Sequence, residues 1–271
     1  MKLFGALALL FMLGINACSK ANSPEPDRME GLIFRYFPRE CTRILTLPME
    51  TRRQAAPSSS SYYQDVVVGE EGVEARKFLY WMMTGAGDLD SLELHYSALR
   101  GRLYEEIYHR DHFKAELAPS ISPLETQLFD DYRLAGTRSR RMQSSSSLIS
   151  EANLEPWEYR VTGVKDFKIM ALTPLFGLPA ETSLNHFFTF HEFKPKQIIS
   201  HESKRLVWGY RSQDRVTSIA QWLSMRPMAQ PVMMLRLNTT PQEVPVKTRF
   251  VTVLTTTEGK ELRDTLQVLL K

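Results

Sequence analysis

The chain is short of the residues that usually announce a chemistry. Among its 271 residues cysteine occurs only at Cys18 and Cys41. Once Cys18 is set aside, for the reason given below, neither a disulfide framework nor a cysteine-based zinc site can be assembled. The chain contains no G-x-S-x-G elbow, H-E-x-x-H helix or Walker-type phosphate loop. Carboxylate pairs such as Glu105-Glu106 and Asp130-Asp131 are sequence neighbours and not the facing pair that glycoside hydrolysis requires. Acidic and basic residues nearly cancel. The formal net charge is +3, and basic residues do not interleave with aromatic ones, so a nucleic-acid partner is excluded. Long apolar runs are missing apart from Leu3 to Ile15, which is shorter than the roughly 20 residues needed to cross a hydrocarbon core.

That short run is the most informative stretch present. Lys2 supplies a positive n-region and Leu3–Ile15 an h-region of secretory length. Ile15-Asn16-Ala17-Cys18 follows, and it resembles the bacterial lipoprotein signal, with Asn16 where a small residue is usual. The resemblance implies cleavage before Cys18, a diacylglyceryl thioether on its sulfur and acylation of the new amine. Two or more chains anchor stably, whereas one binds reversibly. An ordinary cleaved signal with a chance cysteine is the alternative. Ser19 stands where an Asp would signal inner-membrane retention, which favours the outer membrane, with the periplasmic or surface face left open. Removing residues 1–17 takes Lys2 with it and leaves a charge of about +2. Cys41 is then the one remaining thiol and reads as a small buried hydrophobe.

With 43% hydrophobic and 24% charged residues, the body reads as globular, and about 250 mature residues suffice for one large core or two smaller ones. The expected organisation is a signal peptide over 1–17, a lipidated cysteine and Pro-containing tether over 18–30, a β-rich region with one longer helix over 31–136, an Arg/Ser-rich loop or linker over 137–153, and a β-sandwich-like domain over 154–271. The fold class is mainly β (α+β), with antiparallel sheets. Strands are expected at Leu32–Phe37, Thr42–Leu47 and Tyr62–Val68, with Pro48–Ser61 as a loop and Glu70-Glu71-Gly72 as a turn. Val73–Met83 is ambiguous: Phe78, Tyr80 and Met82 alternate, yet Leu79 and Trp81 are apolar as well, so a strand there is buried on both faces. Leu92, Tyr96, Leu99, Leu103 and Ile107 predict a helix over Ser91–Asp111, with a strand as the alternative. Later strands are expected within Tyr159–Leu172, with Gly163 a bulge, and at Asn185–Phe193, Arg205–Tyr210 and Val232–Leu237. Pro174–Pro179 reads as a loop. Ser218 and Gln221 form a capping-box pattern for a short helix. Phe250–Thr256 and Leu262–Leu270 alternate around Thr257–Lys260, the pattern of a hairpin.

The stretches VTGVKDFKIMAL, GLPAETSLNHFFTF, KRLVWGY and SIAQWLSMRPMAQPVMMLRLN lie in Trp157–Lys271. On these, the C-terminal part resembles an uncharacterised family of Bacteroidota cell-envelope lipoproteins. The resemblance implies an envelope location and transfers no catalytic residue. Surface display in that phylum goes with an acidic cluster behind the cysteine, and here only Glu25 and Asp27 follow it.

Candidate chemistry is sparse. His109 and His112 can share one helix face and are the weak metal candidates, with Asp130 or Asp131 as a further carboxylate, although zinc asks for three or four ligands. His186 and His191 fall on opposite faces of an alternating strand. Trp81, Trp157, Trp208 and Trp222 are either a sugar-binding platform or core. Arg52-Arg53 reads as a solvated loop pair or a processing site, and Arg138, Arg140 and Arg141 as a solvated basic loop or a contact with anionic head groups. No catalytic residue and no cofactor is assigned. The leading reading is a lipid-anchored envelope protein with a binding, scaffolding or assembly role, whose partners are membrane lipid through the Cys18 acyl anchor and an envelope protein or glycan. The alternatives are an envelope hydrolase acting on glycans or peptides, an adhesin or pilus-accessory subunit, and a small-ligand or metal carrier.

Overall fold

The computed structural model describes residues 36–55, 61–85, 118–142 and 157–271. Cys18, with the expected signal and tether, lies outside the described residues. So does the expected helix over Ser91–Asp111, with His109 and His112.

Twelve strands are described: β1 (Tyr36–Arg39), β2 (Arg43–Ala55), β3 (Ser61–Val67), β4 (Phe78–Gly85), β5 (Trp157–Arg160), β6 (Val164–Ala171), β7 (Phe188–Lys194), β8 (Ile198–Ser200), β9 (Arg205–Trp208), β10 (Val232–Leu237), β11 (Val246–Thr256) and β12 (Glu261–Leu270). Two α-helices join them, α1 (Ser122–Met142) and α2 (Ile219–Ser224). A five-stranded antiparallel sheet runs in the order β3-β2-β4-β10-β7, and a three-stranded one in the order β12-β11-β6. Among the described residues neither closes into a barrel, and the protein is mainly β with few helices. β5 to β12 supply the whole smaller sheet and two strands of the larger. β2, β3 and β4 supply the other three, and all the described residues fall in one compact unit.

The two sheets face each other across an aromatic core. Phe78 of β4 stacks on Phe250 of β11 with centroids 5.9 Å apart, while Tyr80 and Phe188 meet the same ring edge-on at 6.0 and 5.8 Å. Such offset and edge geometries suit the ring quadrupoles. The Tyr80 hydroxyl is hydrogen-bonded to that of Thr252, so the buried polar group is satisfied within the core. Asp264 of β12 accepts from the backbone N–H and the hydroxyl of Thr46 in β2, both at 2.6 Å, a polar bridge between the sheets. Period-2 alternation explains the hairpin: Phe250, Thr252 and Leu254 of β11 and Leu262, Leu266 and Val268 of β12 turn inward. β4 is buried along its whole length, as its unbroken apolar run predicts. Its second face, Leu79, Trp81 and Met83, joins Leu47, Met49, Val232 and Met234 in a separate buried cluster.

Several expectations need correction. The loop predicted for Pro48–Ser61 is strand from Pro48 to Ala55, and β3 begins at Ser61. Pro48 has no N–H to lose from the ladder, and its carbonyl still accepts from Val68 at 2.8 Å. Arg52 and Arg53 sit in register with Gln64 and Tyr63, and Arg52 is paired with Glu50 and Glu71. Composition misread a polar strand as a loop. The loose stretch from Leu117 carries α1, which runs through residues 137–142 of the expected linker. Its Pro123 occupies the first turn, where a missing N–H costs no intrahelical bond. Gly163 separates β5 from β6, so the Tyr159–Leu172 stretch is two strands. As expected, Ser218 caps α2, accepting from the Gln221 N–H at 3.1 Å. Gly72 turns the chain between β3 and β4 with φ +73°, a backbone region that favours glycine.

The edge of the smaller sheet is closed by a side chain. The Asn185 amide donates to the Phe167 carbonyl at 2.6 Å and accepts from the Ile169 N–H at 2.9 Å, imitating a neighbouring strand along β6.

Candidate functional site

The structure places a cleft of about 450 Å³ beside β7, at the edge of the larger sheet, within the usual range for small-molecule sites. Its floor is apolar, from Phe190, Phe193 and Val216. Trp208 at the end of β9 forms one wall, and the polar residues 212–215 another.

A β-bulge shapes the floor. Met234 pairs with Glu192 and Leu235 with Phe190, so the ladder skips His191. One extra residue breaks the alternation. Phe190 and Phe193, three apart, therefore turn to the same side, with ring centroids 4.3 Å apart. This corrects the expectation that His186 and His191 alternate in one strand. His186 precedes the strand in a short 3₁₀ turn and lies exposed against the Phe187 ring, at 3.9 Å between centroids. His191 lines the cleft and meets the Arg236 guanidinium through Nδ1. Burial first, and the Arg236 charge next, hold its pKa below the ordinary imidazole value.

The Trp208 wall is fixed in place. Its indole Nε1–H donates to the Asp214 carbonyl at 2.8 Å, and Phe193 packs edge-on at 6.0 Å. With the one polar atom satisfied internally, what the half-buried ring offers the cleft is carbon surface. The Lys196 ammonium lies 6.0 Å from the ring centroid, a cation–π distance. Glu192 and Asp214 balance Lys196 and Arg215 around the lining.

Behind this wall stands Asp131 of α1. Its buried carboxylate accepts from the backbone N–H of Tyr210 at 2.8 Å and of Arg211 at 3.3 Å, and from the Gln197 side-chain amide at 3.2 Å. The approach is close enough that a Cβ at Gly209 would sit 2.3 Å from Asp131 Oδ2. Tyr132 and Tyr210 pack edge-on at 5.8 Å. The helix thus pins the root of the 209–216 loop. Asp131, considered from the sequence as an extra metal carboxylate, is a structural acceptor. Among the described residues no group of three or more His, Cys, Asp and Glu side chains converges as a metal site would.

Trp81 and Trp222 are core, and Trp208 is the tryptophan at the cleft. Cys41 is buried, with its Sγ 3.6 Å from the Arg43 carbonyl, and burial pushes its thiol up to about 12, far from reactive. His201 is half-buried and its pKa is lowered by burial and then by Lys204. Sequence reading missed Lys196 and residues 212–215. They belong to no motif, and the one available signal was a polar RSQDR run following Gly209-Tyr210.

No protein-family model matches the chain, and no curated protein or solved structure matches it significantly.

Proposed function

We propose that the chain is a lipid-anchored bacterial envelope protein that works by binding. The observation that carries the reading is Ile15-Asn16-Ala17-Cys18 standing behind a short h-region. In it, Cys18 carries the acyl anchor, residues 18–30 are the tether, and Ser19 directs the protein to the outer membrane. The resemblance of Trp157–Lys271 to Bacteroidota envelope lipoproteins supports the same location. The mainly β body supports a binding or scaffolding role, with an envelope protein or glycan as partner and the Trp208 cleft as the place of contact. Among the described residues no helix is long and apolar enough to cross a membrane.

The hydrolase alternative asks for a histidine within hydrogen-bond reach of a carboxylate. His191 meets a guanidinium instead and His186 lies on a phenyl ring, so neither favours it. The pilus-accessory version drew on Arg52-Arg53 as a loop processing site, and that pair lies within β2.

The test is Cys18→Ser expressed in a Bacteroidota host, followed by membrane fractionation. Loss of the chain from the envelope fraction is the expected result. An unchanged distribution overturns the anchor. Turnover of an envelope substrate that one point substitution abolishes overturns the non-enzymatic role.

A further inference from the structure

The cleft beside β7 has a lining whose chemistry narrows its occupant. We infer that it is a carbohydrate-binding site, in which the Trp208 indole stacks against one face of a sugar ring and the side chains of residues 212–215 and Glu192 bond its hydroxyls. The inference deepens the binding role proposed above and rests on that reading only for the ligand's source.

A pyranose ring has a C–H face that is apolar and an edge of hydroxyls that both donate and accept. The cleft supplies a counterpart to each. Its floor of Phe190, Phe193 and Val216 is buried carbon, and Trp208 adds a half-buried aromatic face. Because the Trp208 Nε1–H is already bonded to the Asp214 carbonyl, the ring contributes carbon surface and no competing donor. Around this lie Ser212, Gln213, Asp214, Arg215 and Glu192, a mixture of hydroxyl, amide, carboxylate and guanidinium. Such a set can satisfy donors and acceptors in the same ligand. The two carboxylates Glu192 and Asp214 offset Lys196 and Arg215, so the lining selects neither an anion nor a cation. A neutral, hydroxyl-rich ligand fits that balance. The volume of about 450 Å³ leaves room for more than one sugar unit.

The site is also rigid. The Trp208 wall is held by Phe193 and by the 208–214 bond, and the root of the 209–216 loop is pinned to Asp131. Farther along, β7 and the end of this loop are tied by the Phe190 N–H donating to the Thr217 carbonyl at 2.8 Å. The wall and floor are therefore set before a ligand arrives, which lowers the ordering cost of binding.

The experiment uses the full mature chain in phosphatidylcholine nanodiscs, free of sugar-based detergent. Probes are N-acetylglucosamine, mannose, maltose and cellulose oligosaccharides of two to six units, with Ala- and Gly-rich peptides of similar size as the comparison. Binding is read by calorimetry and by saturation-transfer NMR. At least one oligosaccharide series is expected to bind, with ring C–H protons saturated most strongly. Trp208→Ala is expected to weaken it about tenfold, Trp208→Phe to restore most of the loss, and Trp81→Phe, in a different buried cluster from Phe190 and Phe193, to leave it unchanged. Thermal melts confirm that each variant is folded. If no oligosaccharide binds the wild-type chain, if only the peptides do, or if folded Trp208→Ala binds sugar as well as the wild type, the inference is wrong. None of these outcomes bears on whether Cys18 is acylated, so failure here is separable from failure of the anchor.

Discussion

Replacing Asp131 by Ala removes the acceptor that holds the 209–216 loop, and the structure lets the cost be worked out. Three donors lose an acceptor: the Tyr210 N–H at 2.8 Å, the Arg211 N–H at 3.3 Å and the Gln197 amide at 3.2 Å, which keeps its bond to the Leu128 carbonyl at 3.0 Å. The first is the shortest and charge-assisted. The Arg211 guanidinium, 3.9 Å away and half exposed, adds little. A buried donor left unpaired costs about 1–3 kcal/mol. Water reaching the loop offsets part of the loss, so the expected net destabilisation is about 2–3 kcal/mol. For a body of this size that lowers Tm by about 5–10 °C. Gly209→Ala reaches the same place from the other side. Its Cβ would lie 2.3 Å from Asp131 Oδ2 and 2.8 Å from Cγ, so the carboxylate must leave its donors or the backbone must shift. The two substitutions are therefore coupled. With Ala already at 131, the space for the new methyl exists, and Gly209→Ala should cost less than about 0.5 kcal/mol, a coupling of about 1–3 kcal/mol. Urea titrations of the four chains, followed by tryptophan fluorescence, measure it. Additive costs, or an Asp131→Ala chain as stable as the wild type, would refute the reasoning.

Phe250→Ala, which removes the ring shared by Phe78, Tyr80 and Phe188, should cost about 3–5 kcal/mol in a urea titration. Cys41 should stay unlabelled by a thiol reagent at pH 8 in the native chain and react on unfolding, because burial holds its thiol up at about 12. His191 and His201 both have folded pKa values below their unfolded ones. Their neutral forms stabilise the fold fully above about pH 6.5, and that stability falls as the pH drops through the folded values. The His191→Gln, His201→Gln double variant should flatten the acid limb of a Tm-against-pH curve, and an unchanged limb would count against the shifts. Asn185→Ala removes both side-chain bonds along β6 and should raise amide exchange at Ile169 and cost about 1–2 kcal/mol.

Where one element's pattern decides its structure, the fold was legible in the sequence. The Phe250–Leu270 hairpin, the strand at Val232–Leu237, the doubly buried β4 and the Ser218 cap of α2 each follow from a local signal of period, apolarity or capping. Elsewhere the deciding contact is distant. Arg52 and Arg53 look like loop residues until Gln64 and Tyr63 of β3 are seen opposite them and Glu71 paired with Arg52. α1 shows few apolar residues because part of its buried face is the carboxylate of Asp131, whose partners lie in residues 197 and 210–211. The cleft was hidden for a related reason. A bulge at His191 is invisible to a period-2 reading, and it alone puts Phe190 and Phe193 on one side. Trp208 could be singled out as an aromatic but not separated from Trp81 and Trp222, which the same composition supplies to the core.

The central claim is that the mature chain begins at an acylated Cys18. The direct measurement is mass spectrometry of the N-terminal tryptic peptide from chain purified out of a Bacteroidota envelope. The account predicts a peptide starting at Cys18 and carrying a diacylglyceryl thioether with an acylated amine. A peptide that starts elsewhere, or that starts at Cys18 with a free thiol, would contradict it.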